Sequence, residues 1–311
     1  MTARRARPGP IPALLLALWV SGGVAGAGPS ERSQSVWEGV ERIVAVGDVH
    51  GNHAQFVGIL RRAGVIDEHD DWIGGRTHLV QLGDILDRGP DSRQSMDLLM
   101  KLESQAVRDG GRVHALIGNH EAMVLLRDYR FIHAGEDAAF GGRAAYLEAM
   151  SAEGVYGQWI RSHNTVIKIN DVLFVHGGLA PWLADRSLDE INEAVRADLR
   201  AGSKKGLAMS SGGPLWYRRL ANGPEAEVAA ELAPVFEALG AERIVIGHTV
   251  AIEGIRVRAG GRVIMVDTGM ASAYGGPAAC LVIEQGVYTA IYEDGSEALD
   301  VEPPEAGREA A

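Results

Sequence analysis

Five times along this chain a short apolar run stops, directly or after one small residue, at a side chain able to bind a metal ion. Ile43 to Val46 leads through Gly47 to Asp48 and His50. Leu79 to Leu82 leads through Gly83 to Asp84, and Ala115 to Ile117 through Gly118 to Asn119 and His120. Val172 to Val175 runs straight into His176, and Ile244 to Ile246 leads through Gly247 to His248. Such runs are strand-like, and in open α/β sheets ligands gather at the carboxyl ends of strands. A glycine at the junction lets the backbone turn sharply and a ligand come close. Asp48, His50, Asp84, Asn119, His176 and His248 therefore form one candidate metal site. Two carboxylates, one amide oxygen and three imidazoles suit Mn, Fe or Zn rather than Cu(I) or iron–sulfur chemistry. Divided between two ions, the set leaves one group to bridge, and Asp84 is the best bridge because it is the sole ligand of its strand.

Two ions about 3.5–4 Å apart share a water, lower its pKa and clamp the attacking and leaving oxygens of an in-line displacement. The expected chemistry is hydrolysis of a phosphomonoester by a bridging hydroxide, with no covalent enzyme intermediate. Nearby residues fit that chemistry. Asp87 and Arg88 follow Asp84 within one turn, and Arg218 closes the run Trp216-Tyr217-Arg218. Guanidinium groups bind phosphate oxygens bidentately, which lysine cannot do. His120, not needed as a ligand, is available to protonate the leaving oxygen, and Asp87 to orient it and raise its pKa. Taken singly, each strand-end residue reads at least as well as a polar side chain satisfied by local backbone bonds. Taken together, the repetition favours a metal centre. His53, His69, His78, His114, His133 and His163 lie off the pattern and read as structural or solvated. Trp182, Trp216 and Tyr274 either line a substrate groove or belong to the core or rim.

Something must hold these residues in place, and the chain alternates short strand-like runs with helical periodicity from about Glu41 onward, the signature of βαβ units. Helices are predicted over 52–63, 91–108, 187–201 and 225–239. Later strands are predicted over 255–257, 263–266, 280–283 and 287–291, with Glu284-Gln285-Gly286 turning a hairpin between the last two. Residues 129–165 form a weakly patterned insertion, read as a cap on the substrate side, and 202–213 reads as a mobile Gly/Ser loop. The catalytic domain is placed at 40–292 and an acidic disordered tail at 293–311.

Of 311 residues, 46% are apolar and one is cysteine, Cys280, so no internal disulfide or thiolate metal site is possible. The formal net charge of −11 argues against a nucleic-acid footprint. At the N-terminus Arg4, Arg5 and Arg7 precede an apolar stretch from Ile11 to Val20 and then Ala25-Gly26-Ala27. That order is the pattern of a secretory signal peptide spanning 1–27, too short and too broken by Pro12 for a stable membrane anchor. The expectation is an exported protein, periplasmic or secreted.

The runs Gly47-Asp48-Val49-His50-Gly51, Gly83-Asp84-Ile85-Leu86-Asp87-Arg88-Gly89, Gly118-Asn119-His120-Glu121, His176-Gly177-Gly178-Leu179 and Gly247-His248 occur in the order of the metallophosphoesterase superfamily. More narrowly the chain resembles its phosphoprotein phosphatase family. Within that family, Asp87-Arg88-Gly89-Pro90-Asp91-Ser92, the segment Asn119 to Arg130 and Pro214-Leu215-Trp216-Tyr217-Arg218 are similar to the bacterial Shewanella-like phosphatases. The resemblance implies an α/β fold with a central sandwich of two mixed sheets flanked by helices. It implies Asp48, His50 and Asp84 on one metal ion, and Asp84, Asn119, His176 and His248 on the other. It also implies phosphate anchoring by Arg88 and Arg218, His120 as general acid paired with Asp87, and a phosphorylated protein or peptide as substrate. No groove signature of the eukaryotic Ser/Thr enzymes is recognisable, and Shewanella-like relatives include enzymes that prefer phosphotyrosine, so both residue classes stand. The competing readings are a dinucleoside polyphosphate hydrolase of the same fold and a non-catalytic metal-binding sensor. Spread-out arginines (Arg127, Arg130, Arg143, Arg161) speak against the first, and a full set of site residues against the second.

Overall fold

The computed structural model describes residues 34–301; the expected signal peptide lies outside them. Among the described residues, twelve strands form two six-stranded sheets. In the first, the spatial order is β12 (Ser296–Ala298), β11 (Val287–Tyr292), β10 (Ala279–Glu284), β2 (Arg42–Val46), β3 (His78–Gln81), β4 (Arg112–Ala115). The second runs β1 (Val36–Trp37), β5 (Val166–Ile169), β6 (Val172–Val175), β7 (Arg243–Ile246), β9 (Val263–Met265), β8 (Arg256–Arg258). Each sheet holds a parallel block of three strands, β2-β3-β4 in one and β6-β7-β9 in the other. Antiparallel pairs at the flanks make both sheets mixed.

The two sheets pack face to face, and the reason is legible in the side-chain alternation of the strands. Ile43 and Ala45 of β2, Val80 of β3, Val172 and Phe174 of β6 and Val245 of β7 point into one shared apolar layer. Their neighbours Val44, Val46 and Leu79 face a helical layer on one outside, while Leu173, Val175, Ile244 and Ile246 face another. Strands buried on both faces need apolar residues at every position, which is why they read as unbroken runs. The helices α1 (His53–Arg62), α2 (Ser92–Arg108) and α3 (Asn119–Leu125) cover the first sheet. The second is covered by α7 (Leu188–Ala201), the short α8 (Arg219–Asn222) and α9 (Glu225–Leu239).

Four expectations need correction. The third ligand-bearing strand is β4 at 112–115, so Leu116 and Ile117 form a link from it to Gly118 rather than the strand itself. The 129–165 insertion is built of α4 (Ala134–Ala139), α5 (Arg143–Ala149) and α6 (Val155–Arg161), and buries Tyr146, Met150, Tyr156, Trp159 and Ile160 in the helical layer of the first sheet. Its weak pattern arises because each helix has only one or two turns, too few to display a period. The chain also does not come loose at 293: β12 pairs with β11, and Leu299 and Val301 pack against the layer between the sheets. The loop at 202–213 likewise carries a helical turn at Leu207–Met209, with Ala208 buried and its amide donating to Asp198 Oδ2 at 3.0 Å.

Candidate metal centre and active site

Because the two parallel blocks end on the same side, their carboxyl-terminal loops meet. Asp48, His50, Asp84, Asn119 and His120 arrive from the first sheet, His176 and His248 from the second, and all are buried. The loops are locked to one another by backbone bonds. The Asp84 carbonyl accepts from the amides of Val49 and His50 at 3.0 and 2.9 Å, and Ile85 O accepts from Gly51 N at 2.9 Å. So close is the packing that a Cβ on Gly118 would meet Asp84 Oδ1, and one on Gly47 would meet the backbone of Asp267 at 2.8 Å. His50, Asp84, Asp87, Arg88 and His248 all have φ between 46° and 70°, the left-handed region that side-chain-bearing residues seldom adopt. Strain of that kind persists where the surroundings over-determine it, which happens at functional sites.

The imidazoles are oriented by their far nitrogens. His50 Nδ1 donates to Leu86 O and His176 Nδ1 to Leu82 O, both at 2.9 Å. A neutral ring so held turns the Nε2 lone pair inward. His176 Nε2 then lies 2.8 Å from Asn119 Oδ1 and 3.4 Å from Asp84 Oδ2, and His50 Nε2 3.5 Å from the same carboxylate oxygen. Four acceptors converge there without a proton between them, and a cation resolves the conflict. His248 Nε2 is buried with no hydrogen-bond partner, and its ring sits 4.9 Å from that of His176. Burial drives His50 down to about 4 and His248 down to about 2, so both are neutral and free to ligate. Asp48 is held well above the usual carboxylate range by burial, then by Asp267 and Asp84. Burial alone would lift Asp84 too, but its contact with His176 and the charge of His120 outweigh that and hold it low. The donor set therefore fits two cations, one near His50 and Asp84, the other near Asp84, His176 and His248.

Beside this cluster stands His120. Its Nδ1 meets Asp87 Oδ2 at 2.6 Å, and its Nε2 lies 3.9 Å from Asp84 Oδ2. Burial opposes its charge, yet Asp84 and Asp87 together raise its pKa above that of a free histidine. Arg88 is held between the rings of Phe131 and Tyr274, 4.9 and 5.2 Å from their centroids, and its buried Nε has no partner within the protein. Arg218 stands exposed at the rim and donates from Nη1 to His248 O at 2.8 Å and Thr249 Oγ1 at 2.9 Å. Every residue singled out in the five runs is thus brought to one place. Of the aromatic residues, Tyr274 and Trp216 lie 5.9 Å from the His50 and His248 rings, whereas Trp182 is half exposed. The other histidines stay away: His78 and His114 contact each other and Trp37, His163 pairs with Glu103, and His69 is on the surface.

Besides Phe131, two buried acids of the site were missed. Glu121 is buried under the loops and accepts four backbone amides: Gly118 and Asp84 at 2.9 and 2.7 Å on Oε2, Ile85 and Leu86 at 2.8 and 3.1 Å on Oε1. It stands at the third position of α3 and reaches back to the residue before the helix, half of a capping box, a spacing visible in Gly118-Asn119-His120-Glu121. Asp267 follows β9 as a sixth strand-end side chain of ligand type, and the third acid among them. It is buried against Asp48, and burial pushes it up to about 6. The run Val263 to Val266 obeys the same pattern as the other five and would have revealed it.

Sheets, loops and ligand convergence together define a metallophosphoesterase, and residues 41–251 match the calcineurin-like phosphoesterase family, to which the chain belongs. It is 30% identical to Shewanella-like protein phosphatase 1 of Plasmodium berghei over 78% of this chain and 70% of the relative. With Shewanella-like protein phosphatase 2 of Arabidopsis thaliana it shares 29% identity over 78% and 74%. A solved cold-active protein-tyrosine phosphatase from a psychrophilic Shewanella species superposes with a TM-score of 0.77 at 31% identity, covering 94% of this chain and 89% of that one. Within its family the chain thus stands with the Shewanella-like phosphatases.

Proposed function

We propose that this enzyme removes phosphate from tyrosine side chains of proteins, acting more slowly on phosphoserine and phosphothreonine. The observation that carries the proposal is Arg88: a guanidinium with an unpartnered buried Nε, set beside the ligand cluster and stacked between Phe131 and Tyr274. Phosphate oxygens meet the guanidinium, and the two rings, 38% and 37% exposed, offer an aryl group a surface to lie against. The solved relative described as a protein-tyrosine phosphatase supports the same reading.

Mn, Fe or Zn ions held by Asp48, His50, Asp84, Asn119, His176 and His248 would activate the attacking water and neutralise phosphate charge. The rest falls to the chain. Arg88 and Arg218 orient the phosphate. His120, fixed by Asp87 through Nδ1, delivers a proton from Nε2 to the departing oxygen. Signal-like residues 1–27 support action outside the cytoplasm, in a periplasm or the medium, which N-terminal sequencing of the mature protein would test.

The deciding experiment compares phosphate release by Mn-loaded protein from matched phosphotyrosine and phosphoserine peptides and from a dinucleoside tetraphosphate. Preference for phosphotyrosine, reduced in Tyr274→Ala, is expected. Turnover of the dinucleotide alone would overturn the proposal.

A further inference from the structure

The 129–165 segment sends one acid into the interior. Glu136, in the first turn of α4, is fully buried, and neither of its carboxyl oxygens has a hydrogen-bond partner. It faces the backbone amide of Asp87 and the hydroxyl of Ser92 at the start of α2. Tyr146 from α5 feels the same two acids and is also fully buried. Asp87 Oδ1, Ser92 Oγ and Tyr146 OH are likewise without partners. Four orphaned polar atoms thus gather beside a fifth, the free oxygen of the carboxylate that holds His120. A buried polar atom without a partner has lost its hydration for nothing in return, so the group must be bonded internally, through small rotations or buried water.

We propose that Glu136 is a positioning residue for the general acid: with Ser92 and Tyr146 it holds the free oxygen of Asp87, and so keeps His120 aimed at the leaving group. The hydrogen-bond inventory supports this. Asp87 spends Oδ2 on His120 and offers Oδ1 only as an acceptor. Ser92 and Tyr146 have one proton each, and a neutral Glu136 adds the third donor the cluster needs. An ionised Glu136 would instead place a second uncompensated charge beside Asp87. Burial, followed by the Asp87 charge, pushes its carboxyl up to about 8, in keeping with the neutral form. Restraint matters here because Asp87 sits at φ 70° in the loop that also carries Asp84 and Arg88, where a small rotation would swing the imidazole away.

The inference rests on His120 acting as the proton donor, so the test includes that residue as a reference. Metal-loaded protein is assayed on phosphomonoesters ranging from nitrophenyl through phenyl to alkyl leaving groups, which need protonation increasingly. For Glu136→Leu, kcat on alkyl esters should fall about tenfold or more with nitrophenyl turnover nearly unchanged, approaching the pattern of His120→Asn. Glu136→Gln keeps a donor and should stay near wild type. Equal slowing of all esters in Glu136→Leu, or Gln no better than Leu, would reduce Glu136 to packing and overturn the proposal. Should Glu136→Leu not fold, Tyr146→Phe and Ser92→Ala must shift the leaving-group dependence in the same direction, and no shift in either sinks it. If His120→Asn itself leaves that dependence unchanged, the proton-donor reading fails, and this inference falls with it.

Discussion

His120 and Glu121 are adjacent in sequence yet separate in task, and each gives a distinct prediction. A tyrosyl leaving oxygen has a conjugate acid of pKa about 10 and departs more readily than a serine alkoxide. His120→Asn should therefore lower kcat on phosphoserine peptides by about 10²–10⁴ and on phosphotyrosine peptides by clearly less. Equal losses would remove His120 from the donor role. Glu121 instead binds four amides that shape the two ligand loops. In Glu121→Gln an NH2 group must face two of those N–H donors, an arrangement expected to cost about 2–4 kcal/mol, read as a lower melting temperature together with weaker metal binding. Glu136 yields a pH signature. Its carboxyl is raised from the ordinary 4.5 to about 8, so between those values the folded chain keeps a proton that the unfolded chain releases. Its contribution to stability is complete below the lower value, falls by up to about 1.4 kcal/mol per unit as the pH rises, and levels off above the upper. Denaturant midpoints from about pH 5 to 8 should show this slope in wild type and lose it in Glu136→Gln; parallel curves would mean an ionised Glu136.

At the scale of elements, the C-terminal end shows where sequence patterns speak and where they fall silent. Gln285 and Gly286 both have positive φ and close the β10–β11 hairpin in the two-residue form their types favour, so that turn was legible. β12 was not. Ser296, Glu297 and Ala298 are exposed and lack alternation, and they pair only because β11 presents an edge. Ending the chain after Glu293 would uncover that edge and remove the packing of Leu299 and Val301, costing about 2–4 kcal/mol and lowering the melting temperature by about 5–10 °C. An unchanged melting curve would show that the edge strand contributes nothing. The same contrast holds around the site. The strand-end ligands stood out because a both-faces-buried strand followed by a polar turn is a strong local signal. Glu136 and Phe131 gave none, since their roles depend on where three short helices dock, and docking is decided by distant partners such as Asp87 and Arg88. Asp267 lies between these cases, legible by pattern but overlooked because its strand has only three residues.

For the molecule as a whole, the metal site is also a joint. Asp48, His50, Asp84 and Asn119 descend from one sheet and His176 and His248 from the other, so ions shared among them would tie together the ends of two layers otherwise joined by apolar packing. Without cations the same place concentrates buried acids: burial first, and then repulsion from Asp267 and Asp84, hold the Asp48 carboxyl above its ordinary range. Ions that bind the folded chain and not the unfolded one add RT ln(1 + [L]/Kd), about 4 kcal/mol at a thousandfold excess over Kd. Relief of the carboxylate repulsion is part of that affinity. Chelation should therefore abolish phosphatase activity and also lower the melting temperature by about 8–15 °C, both restored by Mn. His248→Ala, which on the proposed assignment would remove a ligand of only one ion, should keep a smaller metal-dependent shift. If activity is lost on chelation while the melting temperature stays fixed, the sandwich core alone holds the two sheets, and the ions serve only the chemistry.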